Sequence, residues 1–364
     1  MKNKFISKRS FLILLLPFAI IFSHFSSLNP STVERVYSTK IYKFISQILS
    51  IITGIIPISV AELILLSLFA FMVYKLVTLI LAMINDKKKR YKILANNLVN
   101  LVLAISTIYF IFIFSWGLNY HRSTFAEIAG YDEVTYTSVE LAQLAEHLID
   151  QANDLRQHVE ENKDGVMTLP NGSFDVMRRA DKGFDNAAEV YPALGGKYGK
   201  PKVVLMSRVM SYTGVWGVYF PFTAEANVNI SIPDSLIPST ALHEMAHQRG
   251  FAREDEADYI AYLTATMHPD VDFQYSGTLM ALRHTMRALA RADVDVFKEL
   301  YSTFGDGLQR DWDHINAHNQ QHESIVRRAS SQINNTYLKA NAQKDGVQSY
   351  GRMIDLLMAN YLQN

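Results

Sequence analysis

His243-Glu244-Met245-Ala246-His247-Gln248-Arg249-Gly250-Phe251-Ala252-Arg253-Glu254-Asp255-Glu256-Ala257-Asp258 is the stretch on which the reading of this chain turns. Two histidines four residues apart project from one helical face, where their imidazoles reach the same ion. Glu244, one residue after the first histidine, points at water held there and can act as a general base. Ser239 or Thr240 supplies an N-cap just upstream, and Leu242, Met245 and Ala246 form the packing face. The chain has no cysteine, so any metal must be held by His, Asp or Glu.

Gly250 breaks the first helix, and Glu254 starts a second. Glu254, Ala257, Asp258 and Ala261 share one face of that helix, while Asp255 and Glu256 point elsewhere. Packed through its alanines against the first helix, this face brings a carboxylate to the metal. A third histidine at the metzincin position is ruled out, because Arg253 stands there and cannot ligate a cation. Glu254-x-x-Ala257-Asp258 is instead similar to the E-x-x-A-D/N element of glutamate-type zincins. That similarity implies Glu254 as third ligand and Asp258 as the acid that orients a ligand histidine. Glu256 is the reserve ligand.

Upstream of this pair the chain turns apolar. Ser10–Val33 carries no Asp, Glu, Lys or Arg, Leu63–Ile84 only Lys75, and Ile93–Tyr120 none in 28 residues. A bilayer core takes roughly 20 apolar residues as helix. Spans are therefore expected at about residues 11–28, 62–84 and 96–117, making residues 1–117 a membrane region. No A-x-A-like cleavage site follows the first stretch, which reads as an uncleaved anchor. Ile41–Ile58, broken by Gly54 and Pro57, is expected along the interface or capping the bundle. Lys2, Lys4, Lys8 and Arg9, with Lys87–Lys89, Arg90 and Lys92, outnumber Arg35, Lys40 and Lys43. This places the N-terminus in the cytoplasm and residues 118–364 outside.

The outer part reads as α+β, mainly helical with a small β-sheet. Thr137-Ser138-Val139-Glu140 is a capping box before a helix, and Phe174–Val190 is another helix. Lys202–Met206 and Gly214–Phe220 are β runs, the latter a candidate edge strand for an extended substrate. Glu225, Asn227 and Asn229 are expected to hydrogen-bond the loop leading to the metal helix. His314, His318 and His322 recur at helical spacing but read as a solvated face. Tyr275, Tyr337 and Tyr350 are candidates for stabilising a transition state, and His268 reads as structural. Lys+Arg and Asp+Glu balance at 35 each, which removes the electrostatic case for a nucleic-acid partner.

Together, Ser211–Asn229, His243–Leu263, Trp116–Arg122 (WGLNYHR), Tyr275-Ser276-Gly277 and Asn335–Asn341 resemble the bacterial membrane family designated domain-of-unknown-function family 3810. The resemblance implies a membrane-anchored zinc peptidase with a zincin-like domain over residues 118–364. It implies neither activity nor substrate. The expected reaction is peptide-bond hydrolysis with one Zn²⁺ per chain, the partners being a peptide or protein substrate and the lipid bilayer. The rivals are a non-catalytic envelope binding or scaffold protein and a hydrolase of a non-peptide amide.

Overall fold

The computed structural model describes residues 11–341, 343, 346 and 352–363. The basic head (Lys2, Lys4, Lys8, Arg9) and Tyr350 lie outside the described residues. The chain opens with helices α1 (Phe11–Ser27) and α2 (Pro30–Gly54), bent by 103° at their junction. Pro30 sits in the first turn of α2, where a missing N–H costs nothing and the fixed φ suits a helix. α3 (Val60–Asn85) and α4 (Arg90–Ser115) form an antiparallel hairpin whose apolar windows have mean hydropathy 2.4 and 2.3. These two helices are long and apolar enough to cross a membrane, with a third span if α1 and α2 count as one. The side chains of α3 are almost bare, since nothing in the protein covers them. α1 runs beside α4 in the same direction, with Leu12 O accepting from Ser106 Oγ at 2.7 Å and Ser23 Oγ 2.9 Å from His121 Nε2.

α2 is amphipathic in the reverse of the usual sense. Its Tyr42, Ser46 and Ser50 are buried against the globular body, while Ile41, Phe44, Ile48 and Ile52 face outward. Gly199 permits the close approach, because a Cβ there would meet Ser50 O at about van der Waals overlap.

The globular body is helical around a sheet of three short strands: β1 (Lys202–Val203), β2 (Gly217–Phe220) and β3 (Glu225–Val228). Their order is β1-β3-β2, with β3 parallel to β1 and antiparallel to β2, so β2 is an edge. The expected capping box is present, as Thr137 and Glu140 exchange hydrogen bonds at the start of α5 (Ser138–Arg156). α6 (Ile237–Gln248) and α7 (Glu254–Thr266) carry the histidine and acid motifs. Behind them lie α8 (Val271–Ala292), α9 (Asp306–Gln321) and α10 (Ile325–Ala340).

Three expectations are corrected. The Phe174–Val190 helix is two, Gly172–Arg179 and Asp181–Val190, divided at Ala180. Strand β3 occupies a segment read as loop; its Glu-Ala-Asn-Val sequence has no alternation, and all four residues are buried. Glu225 pairs with Lys202 and accepts from Val60 N at 3.1 Å and Ala61 N at 2.7 Å, satisfying orphan donors in the first turn of α3. Finally, α6 starts before Ser239 and Thr240, whose hydroxyls bond back to Leu236 O instead of capping. Pro238 preorganises that turn, and Ser239 N donates to Ser276 Oγ on α8.

The buried Asp311 pins α5 to α8 and α9. It accepts from Arg156 Nε at 2.7 Å, Tyr275 OH at 2.6 Å and Met167 N at 2.8 Å. Asp311→Ala would remove the buried acceptor shared by Arg156, Tyr275 and Met167 N, so a loss of about 3–5 kcal/mol is expected. Denaturation of the full chain in detergent measures it, against a change within about 0.5 kcal/mol for the exposed Asp313→Ala. Equal midpoints for the two variants would refute the assignment.

Candidate metal centre

Helical geometry puts His243 and His247 one turn apart on α6, their rings 4.7 Å apart and nearly perpendicular. Gly250 then ends the helix at φ +88°, in the left-handed region that favours glycine. Phe251 N bonds to Ala246 O across this turn, which brings Phe251 O to 2.7 Å from His247 Nδ1. The turn that stops α6 therefore also orients its second histidine. It leaves room for α7 to begin at Glu254, whose Oε2 lies 3.3 Å from His243 Nε2 and 3.5 Å from His247 Nε2.

The two Nδ1 atoms are both committed. His243 Nδ1 is 2.7 Å from Asp258 Oδ1, one turn along α7 from Glu254. Both Nε2 atoms are consequently left facing Glu254. Among the described residues, His243, His247 and Glu254 are the group of three or more such side chains whose ligand atoms converge, all within 4.8 Å. Four tetrahedral ligands at about 2.0–2.1 Å from an ion stand about 3.3–3.4 Å apart. The donor set, two imidazoles and a carboxylate, and its spacing both fit a zinc-like cation.

Electrostatics point the same way. Burial works against a charged His243, but Asp258, then Glu254 and Glu244, raise its pKa well above the usual imidazole value. Burial also opposes the Glu254 carboxylate, yet the charges of His247 and His243 outweigh it and hold this group well below the ordinary range. Burial pushes the Glu244 carboxyl up to about 7, against the pull of both histidines. The surrounding acids thus favour positive charge between them.

Glu244 is buried and its Oε2 has no hydrogen-bond partner. Its carboxylate lies against β2, where a Cβ on Gly217 would come within 2.4 Å of Oε1. Only a glycine lets this edge strand run so close.

The remaining candidates separate clearly. Glu256 is turned away, accepting from Phe125 N at 3.0 Å. Tyr275 is bound to Asp311, whereas the Tyr337 hydroxyl accepts from Tyr120 at 3.1 Å and both feel the charge of Glu254. Tyr120 was within the WGLNYHR stretch, but nothing in that sequence marks it for the centre. Glu225, Asn227 and Asn229 hydrogen-bond to the backbone and side chains around them. His268 is structural, stacked on Phe273 with Nε2 3.0 Å from Arg179 O. The His318 and His322 rings lie 4.2 Å apart, tilted by 35°, and do not join the converging group.

The centre has three neighbours that local sequence did not disclose. α2 lies under it, with the Tyr42 hydroxyl bonded to His247 O, Gln248 O and Tyr219 OH, and with Ser46 Oγ on Gln248 O. These donors satisfy the carbonyls left open at the end of α6. Trp116, the residue after α4, packs edge-on to His247 at 6.0 Å. On the other side His284 Nε2, from α8, lies 3.5 Å from Asp258 Oδ2.

A family model described as "Protein of unknown function (DUF3810)" matches residues 37–358. The chain belongs to this family. The match to DUF3810 begins within α2 and takes in α3, α4, the sheet and both motif helices. No curated protein and no solved structure matches the chain.

Proposed function

We propose that this DUF3810 member is a membrane-anchored, zinc-dependent metallopeptidase with a zincin-like site. The observation that carries the reading is the convergence of His243 Nε2, His247 Nε2 and Glu254 Oε2 beside the unpartnered carboxylate of Glu244. His243, His247 and Glu254 would hold the ion. When bound, zinc supplies Lewis acidity, polarising a carbonyl and lowering the pKa of water towards neutrality.

The protein's own groups supply the rest. Asp258 and Phe251 O fix the imidazole orientations. Glu244 accepts the proton of the attacking water and returns it to the leaving amine, a role that suits a carboxyl raised to about 7. Edge strand β2 offers unpaired backbone groups to an extended peptide. Tyr337, which accepts from Tyr120, keeps its own proton to donate to a developing oxyanion.

The geometry also supports an orientation. Val60, through Glu225, and Trp116, through His247, both meet the globular body, so the Asp86–Lys89 turn lies about 39 Å away at the far end of the 26-residue helices. Lysine excess at that turn argues for a cytoplasmic far end and an extracytoplasmic globular body.

The test is hydrolysis of a fluorogenic peptide library by the full chain, purified in detergent and loaded with Zn²⁺. Cleavage is expected, abolished by a chelator and restored by Zn²⁺. A folded protein that holds zinc but cleaves nothing would overturn catalysis and favour a binding role.

A further inference from the structure

The face of α8 beyond His284 carries positive charge that the protein does not neutralise. Arg283, His284 and Arg287 lie within about 100° of one another around the helix axis. Arg283 is 4 % exposed and its Nη1 has no hydrogen-bond partner. The guanidinium rests over the Trp312 ring at 4.9 Å, a contact that attracts a cation but offers no acceptor. Among the described residues neither Arg283 nor Arg287 has an ion pair. Burial, and then the neighbouring Arg287, push Arg283 down to about 9.

The charges around them add to the effect. Arg287, whose side chain also reaches solvent, is lowered by partial desolvation and by Arg291 and Arg327, and of the groups acting on it only Asp258 pulls the other way. His318, on α9, is pushed down to about 4 by burial, by His322 and His314 and by Arg327. Arg327 lies against Gly214, just before β2, and its Nη1 donates to Asn319 O at 3.0 Å. A buried guanidinium without an acceptor is costly, and like-charged neighbours raise the cost. An anion placed among them removes it.

We infer that Arg283 and Arg287, with His284 and Arg327 beside them, form an anion-binding subsite that receives a carboxylate of the peptide substrate. Guanidinium groups bind carboxylates bidentately, which gives position as well as attraction. The subsite adjoins the centre through one chain of contacts. Asp258 touches His243 with one oxygen and faces His284 with the other, and Arg287 follows about 4.5 Å further along the helix. This inference rests on the peptidase reading for the identity of its ligand, and it narrows the substrate class to peptides with a carboxylate near the cleaved bond.

The experiment uses the full chain in detergent, carrying Glu244→Gln to prevent turnover, and reads binding by calorimetry. Three forms of one heptapeptide are compared: free C-terminus, amidated C-terminus, and amidated with one internal glutamate. At least one carboxylate form is expected to bind about 10- to 100-fold tighter than the neutral amide. A gain for the free C-terminus points to a terminal carboxylate, and a gain for the glutamate peptide to an acidic side chain. Arg287→Gln, and separately Arg283→Met, should collapse the gap. Equal affinities for all three peptides in the parent protein would overturn the subsite, even if the wild-type enzyme cleaves them. A gap that survives both arginine substitutions would overturn the residue assignment. Because binding is read without turnover, a lack of hydrolysis in the wild type would sink the peptidase reading and leave this result standing.

Discussion

Glu254→Gln is expected to reduce zinc in the purified full chain from about one ion to nearly none, measured by elemental mass spectrometry at neutral pH. Glu254 Oε2 is the atom that faces both Nε2 groups, at 3.3 and 3.5 Å. An amide in its place supplies a weaker, uncharged oxygen as the third donor. Asp258→Asn should cost less, about 10- to 100-fold in affinity, because Asp258 orients His243 without facing the ion. Glu256→Gln should leave zinc content unchanged, since its carboxylate is used by Phe125 N. Retention of zinc by Glu254→Gln, or its loss in Glu256→Gln, would refute the ligand set.

Glu244→Gln should separate binding from chemistry. Zinc content is expected to stay near wild type, while the hydrolysis rate falls about 10²- to 10⁴-fold, the usual worth of a positioned general base. The substitution is nearly isosteric and removes a buried carboxylate that has no hydrogen-bond partner on Oε2, so folding should not suffer. A decrease of less than about tenfold would show that Glu244 is not the base. Loss of zinc together with activity would instead make it part of the ion's support.

Much of the centre could be read before any fold was known. The positions of His243, Glu244 and His247 follow from 3.6 residues per turn, and so does the shared face of Glu254 and Asp258. The seven-residue step from His247 to Glu254 is not legible in the same way, because spacing alone does not say where a chain goes after a helix ends. The left-handed turn at Gly250 resolves it, and also aims Phe251 O at His247. Strand β3 has no signature in the sequence, because total burial removes the alternation that marks a strand.

The sequence by itself determined the apolar helices, the mainly helical body and the residue types gathered on each motif face. These are consequences of hydrophobic length and helical period, which act within a few turns of chain. Tertiary structure alone decided that α2 would pack beneath α6, with Tyr42 and Ser46 on the carbonyls of His247 and Gln248, more than two hundred residues away. It decided as well that Glu225 would cap α3 and that α8 would bring His284 beside Asp258. Such contacts join segments with no common period. They depend on which buried donors and charges can be satisfied once the whole chain is folded.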